Sequence, residues 1–159
     1  MRPRVEGRGE DMASSSDNID AKDIRSLATD LQALADFLPV FRQPGFQAGT
    51  WAGGAETEPG VIQMPYVSYD PVVDSFRKVA YEHGWVKKDF AWSAWMQSDE
   101  ARSLRAGTAI RSATSDQLGQ LLTVCIRQDR FVEGALMGAF ESGLILRIVE
   151  RAAVLAAAA

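Results

Sequence analysis

The sequence predicts an α+β fold: a mainly helical single domain of five or six helices with a small two-stranded antiparallel ribbon. Three observations predict it. Apolar residues recur at helical spacing over most of the chain. Two short segments of β character, Phe46 to Trp51 and Val61 to Val67, flank the turn-forming Gly53-Gly54 and Pro59-Gly60. The densest apolar pattern lies in the last third, Leu121 to Arg151, which sets the core.

Composition bounds the class of object. A chain of 159 residues suits one domain with its own interior. Hydrophobic residues make up 47% and charged ones 24%, ordinary for a globular protein. The formal net charge of −4 argues against broad nucleic-acid binding, which needs clustered Lys and Arg. A single cysteine, Cys125, excludes an intrachain disulfide and fits a reducing compartment. There is no apolar run long enough for a membrane span and no secretory leader pattern, so the expected location is cytoplasmic.

Residues 1–18 are polar and Gly/Ser-rich and are expected to be a disordered tail, with Met12 as an alternative start. The globular domain is expected over residues 19–153, and the Ala-rich 154–159 as a fraying end. Asp17 or Asp20 can cap a first helix, whose inward face is Ile24, Leu27, Ala28, Leu31, Leu34, Ala35 and Leu38. Pro39 should end it.

The two β segments read as a hairpin with a loop of roughly nine residues, and Pro65 marks the second as an edge strand. Such a ribbon is marginal alone and must pack on helices. Asp70-Pro71 opens the next helix as cap and first residue, Val72, Val73, Phe76, Val79 and Ala80 face inward, and His83-Gly84 closes it. A further helix is expected from Trp92 to about Arg105. Thr114 and Gln117 fit a capping box for a helix to about Gln128, with Leu118, Leu121, Leu122 and Cys125 on one face. Gly134 and Gly138, four apart, suggest the close approach of another backbone. Gly143 fits a left-handed helix end before a last helix with Leu144, Ile145, Ile148 and Val149 inward.

The run IRQDRFVEGALMGAFESGLILRIVER, Ile126 to Arg151, resembles the C-terminal signature of an uncharacterised bacterial family of small domains of unknown function. That pattern is close to V/I-R-x-D-R-F-C-E-G-H-L followed by F-E-S-G and a hydrophobic helix. The likeness extends through LADFLPVFRQPGFQAGTW, MPYVSYDPVVDSF and DFAWSAW, and covers about Ile24 to Arg151. It implies one intact domain and names no chemistry. Val132 and Ala135 stand where the pattern has Cys and His, which counts against a metal or reactive role at those positions.

Two sets of residues are candidate sites. Arg127, Asp129, Arg130, Glu133 and Glu141 form either a structural ion-pair network or a pocket in which an Arg grips an anion and a Glu acts as acid or base. Tyr66, Tyr69, Trp92 and Trp95, with Trp85 and Phe90 nearby, form either core packing or a binding surface. His83, the only histidine, is read as a helix-end residue, and Cys125 as a buried small hydrophobe. One His and one Cys far apart make no zinc site, and no phosphate-binding glycine motif is present, so neither metal nor cofactor is expected.

The leading expectation is a non-enzymatic domain that binds a protein or peptide partner. The alternative is a metal-independent small-molecule or nucleotide-related enzyme using the Arg and Glu set. A nucleic-acid-associated accessory factor is the weaker third reading. An enzyme requires Arg127, Arg130, Glu133 and Glu141 to reach one cavity. An interaction domain requires internal pairing of those groups and an exposed apolar patch around Trp92, Trp95 and Tyr66. Homo-oligomerisation stays open.

Overall fold

The computed structural model describes residues 26–159. The tail, the caps at Asp17 and Asp20, and Ile24 lie outside the described residues. The first described helix, α1, covers 26–35 and is followed by the short α2, Leu38–Phe41. The predicted break falls two residues before Pro39, and Pro39 then serves in the first turn of α2. Four strands follow: β1 (Gly49–Ala52), β2 (Glu56–Glu58), β3 (Val61–Ile62) and β4 (Tyr66–Tyr69). Helix α3 spans Pro71–Glu82, α4 Trp92–Trp95 and α5 Asp99–Arg105. A 3₁₀ helix, Ala109–Ser112, precedes α6 (Ser115–Gln128), α7 (Ala135–Glu141) and α8 (Leu144–Ala158).

The α+β class is as predicted, and the last third is the hub. Leu118, Leu121, Leu122, Leu136, Ile145, Ile148 and Val149 are fully buried. Helix α8 packs against α2, α6, α7 and the 3₁₀ helix. Five phenylalanines complete the centre. Phe41 lies edge-on to Phe76 and Phe140, with centroids 5.3 and 5.0 Å apart, and Phe37 and Phe46 flank it. Edge-to-face pairs of this kind suit the ring quadrupole. They tie the first helices, the foot of the ribbon, α3 and α7 into one body.

The caps follow their sequence signals. Asp70 accepts from the Val72 amide, with Pro71 as the first helical residue. The reciprocal Thr114–Gln117 capping box is formed, and α6 ends at Gln128 as expected. Gly143 takes φ +80 between α7 and α8.

Four expectations are corrected. The single ribbon is two ribbons in series: β1 pairs with β4, and β2 pairs with β3 beyond them. The segment Val61 to Val67 divides at Pro65, which has no amide hydrogen to give a ladder. The helix expected from Trp92 to Arg105 breaks at Met96–Ser98, because Ser98 caps α5 by accepting from the Ala101 amide. The Ala-rich end continues α8 to Ala158, where Leu155 and Ala156 still pack on the core. Gly134 and Gly138 do not share a stripe. A Cβ on Gly134 would meet the Trp51 and Val67 side chains rather than a backbone, and Gly138 faces open space.

Candidate functional site

The ribbon joins the helical body through side chains from the turn between α6 and α7. Asp129 caps α6, and its side chain is 11% exposed. Its Oδ1 accepts from the Tyr69 hydroxyl at 2.7 Å and from the Leu136 amide at 3.0 Å. The Tyr69 oxygen in turn accepts from the Met137 amide at 3.1 Å. Arg77 on α3 lies over the Tyr69 ring, 4.7 Å from its centroid, and reaches Asp129 Oδ2 at 3.8 Å and Asp74 at 2.8 Å. Burial, and then the bond to Asp129, push the Tyr69 phenol well above its ordinary value, so it stays a hydroxyl. Two free amides at the start of α7 are thereby satisfied by a carboxylate and a phenol.

Glu133 makes the second joint. Its Oε1 accepts from the Val67 amide at 2.7 Å, on the edge of β4 that β1 leaves open. Beside it Gly134, at φ +83, lets the Trp51 ring lie against the turn. Strand β4 is therefore closed on both edges at this point.

The charged set does not converge. Asp129 and Glu133 hold the ribbon, as described. Arg127 leaves in another direction and contacts the Lys88 carbonyl at 3.5 Å. Arg130 is exposed and donates to the Tyr81 hydroxyl at 3.3 Å. Glu141 lines a shallow cleft with Phe46, Trp51 and Met137. No ion pair joins any two of these five residues among the described residues. The expected mutual neutralisation is replaced by pairing with Arg77, Tyr69 and backbone amides. Arg130 and Glu133 sit three apart in a stretch that is turn rather than helix, so they are not neighbours on one helical face.

The aromatic set also separates. Trp85 is buried and its indole donates to the Asp30 carbonyl at 3.1 Å. Phe90 packs on Trp95 at 5.7 Å. Trp92 stacks on Phe131 at 6.1 Å, and Phe131 is 77% exposed. Tyr69 is the half-buried joint described above, while Tyr66 lies on the outer face of β4.

What stands uncovered is the outer ribbon. Strand β4 alternates, with Val67 buried and Tyr66 exposed, but β2 and β3 are exposed at every position. Val61 and Ile62 are neighbours in β3 and so point to opposite faces, and both lie open. Met64 beside them is 81% exposed. This arm stays in line with the inner ribbon through bonds between Gly54 and Gln63 and between Gln63 and Ala55.

His83 closes α3 and its Nδ1 lies 2.7 Å from Asp30 Oδ1, which accounts for its position. Among the described residues no group of three His, Cys, Asp or Glu side chains is placed to hold a metal ion. No helix among them is long and apolar enough to cross a membrane.

A family model described as a family of unknown function, DUF6508, matches residues 26–158. No curated protein and no solved structure matches the chain.

Proposed function

We propose, from the premise that the chain belongs to the DUF6508 family of unknown function, that it is a non-enzymatic interaction domain whose β2–β3 arm is clasped by a protein partner. One observation carries the reading: a two-stranded arm with large apolar side chains open on both faces. A two-stranded ribbon has no covered side of its own and is marginal in water. Soluble domains seldom leave Val, Ile and Met contiguous and uncovered unless a partner buries them. The outer edges of β2 and β3 also keep unpaired backbone groups, which an added strand can take.

The arm's chemistry defines the partner. Glu56 and Glu58 flank the apolar residues, so the complementary surface is an apolar groove with Lys or Arg at its rim. The joints at Asp129, Glu133 and Gly134 hold the inner ribbon to the body, which lowers the ordering cost of binding at its tip. The Arg and Glu set gives the enzyme reading less support, because its members do not reach one cavity. The cytoplasmic setting belongs to this proposal and is supported by the single buried thiol, Cys125.

Selection of a displayed peptide library on the immobilised chain tests the reading. The clones expected pair basic with apolar residues, and their affinity falls at least about tenfold on Ile62→Asp with Met64→Asp. Melting of the doubly substituted chain should be unchanged, since both side chains are open to solvent. Clones that bind it as well as the parent would overturn the proposal. So would a stable dimer of the parent that the two substitutions dissociate, because the arm would then be covered by a second copy.

A further inference from the structure

A cavity of about 430 Å³ opens where α8, the 3₁₀ helix and the end of α2 meet, on residues that the ribbon does not use. Four arginines line it: Arg42, Arg111, Arg147 and Arg151. Glu150 is the only acidic residue in the lining, and it pairs with Arg42 at 3.3 Å. Arg111, Arg147 and Arg151 have no carboxylate within ion-pair distance among the described residues. Three unneutralised cations thus share one concavity on a chain whose formal net charge is −4.

The arrangement is built rather than incidental. Arg147 and Arg151 are four apart on α8, so they rise from one face of the helix. Arg151 is fixed by donating from Nε to the Ala113 carbonyl at 2.9 Å. Arg147 lies under Gly107, where a Cβ would come within 3.3 Å of its guanidinium carbon. Its Nη1 donates to the Ser142 carbonyl at 3.5 Å, while its Nε is buried and has no hydrogen-bond partner. A buried donor left unpaired is costly, and like charges held together repel. The repulsion falls when an anion enters.

We propose that this cavity binds a small organic phosphate. The guanidinium fork matches phosphate oxygens two at a time. A single carboxylate would leave most of the positive charge uncompensated, whereas a phosphate monoester carries about −1.5 to −2 at neutral pH. A diphosphate carries more and suits three arginines that lack a carboxylate partner better still. Ile110 and Val154 give the same cavity an apolar wall, and Glu150 offers an acceptor to a hydroxyl. The ligand class is therefore a phosphate or diphosphate ester whose organic part is both hydroxylated and partly apolar. The volume lies within the usual range for small-molecule sites, roughly 300–1,000 Å³.

Titration calorimetry of the full chain with pyrophosphate, at constant ionic strength, tests the site. One saturable site is expected. Affinity should fall at least about tenfold in Arg111→Gln, and again in Arg151→Gln, because each removes a charged hydrogen bond. Arg111 is exposed on the 3₁₀ helix, so its substitution leaves the fold intact, which circular dichroism checks. Malonate at the same concentrations should bind much more weakly. No saturable heat, undiminished binding by Arg111→Gln, or malonate binding as tightly as pyrophosphate would each overturn the proposal. Ile62→Asp with Met64→Asp should leave pyrophosphate binding unchanged, so this site and the arm stand or fall separately.

Discussion

The Tyr69 hydroxyl lies 2.7 Å from Asp129 Oδ1 and at the same time takes the Met137 amide at 3.1 Å. One phenol therefore bridges the last strand, the cap of α6 and the first turn of α7. Tyr69→Phe keeps the ring under Arg77 and removes only that bridge. It leaves the Met137 amide without its acceptor and Asp129 with one donor fewer. The expected cost is about 1–3 kcal/mol in urea denaturation. A midpoint that does not move would show that water replaces the hydroxyl at no cost.

Two neighbours in sequence are expected to behave in opposite ways. Arg130 is exposed and its side chain donates to the Tyr81 hydroxyl, so Arg130→Ala should change stability by no more than about 0.5 kcal/mol. Asp129 is nearly buried and holds two donors beside Arg77, so Asp129→Ala should cost at least about 2 kcal/mol. Parallel thermal melts decide it. Equal losses in the two variants would mean that the turn answers to total charge rather than to its hydrogen bonds.

This contrast marks what the sequence could and could not supply. Helical periodicity found the buried faces of α6 and α8, because each apolar stripe there is long enough to average out exceptions. Leu118, Leu121 and Leu122 are buried as predicted. The caps at Asp70, Thr114 and Gly143 were legible because their chemistry is local. Partner choice in the charged set was not legible. Asp129 finds Tyr69, sixty residues away in sequence, and Glu133 finds the Val67 amide sixty-six away. Spacing along a helix says nothing about such pairs, and here both acids lie in a turn. The arginine cavity was missed for the same reason. Arg42, Arg111 and Arg147 come from three separate elements and carry no common motif.

Gly134 has both a backbone and a packing reason to lack a side chain. Its φ of +83 is strained for any L side chain, and a Cβ would stand 2.6 Å from the Trp51 ring. Gly134→Ala is expected to cost about 1–3 kcal/mol. Part of that is steric, so the cost should be smaller by about 1 kcal/mol in a Trp51→Ala background. An equal cost in both backgrounds would assign the whole effect to the backbone.

Cys125 gives a prediction that separates burial from reactivity. It lies on α6 with 5% of its surface exposed, and burial pushes its thiol up to about 12, with Arg105 opposing in part. The neutral thiol is therefore favoured by the folded chain. Because the folded value lies above the unfolded one of 9.0, this contribution to stability is complete below about pH 9 and is lost as pH rises toward about 12. The Tyr69 phenol, also raised by burial, acts with the same sign at higher pH. Stability should thus fall steeply on the alkaline side, and Cys125→Ala should flatten the part of the fall that begins near pH 9. A disulfide reagent applied at pH 8 should react with Cys125 only at the rate of opening, since the thiolate is the nucleophile and the folded chain suppresses it. Rapid stoichiometric labelling of the native chain at that pH would show that the cavity beside Arg105 and Gln128 admits both reagent and charge, and the buried reading of Cys125 would fail.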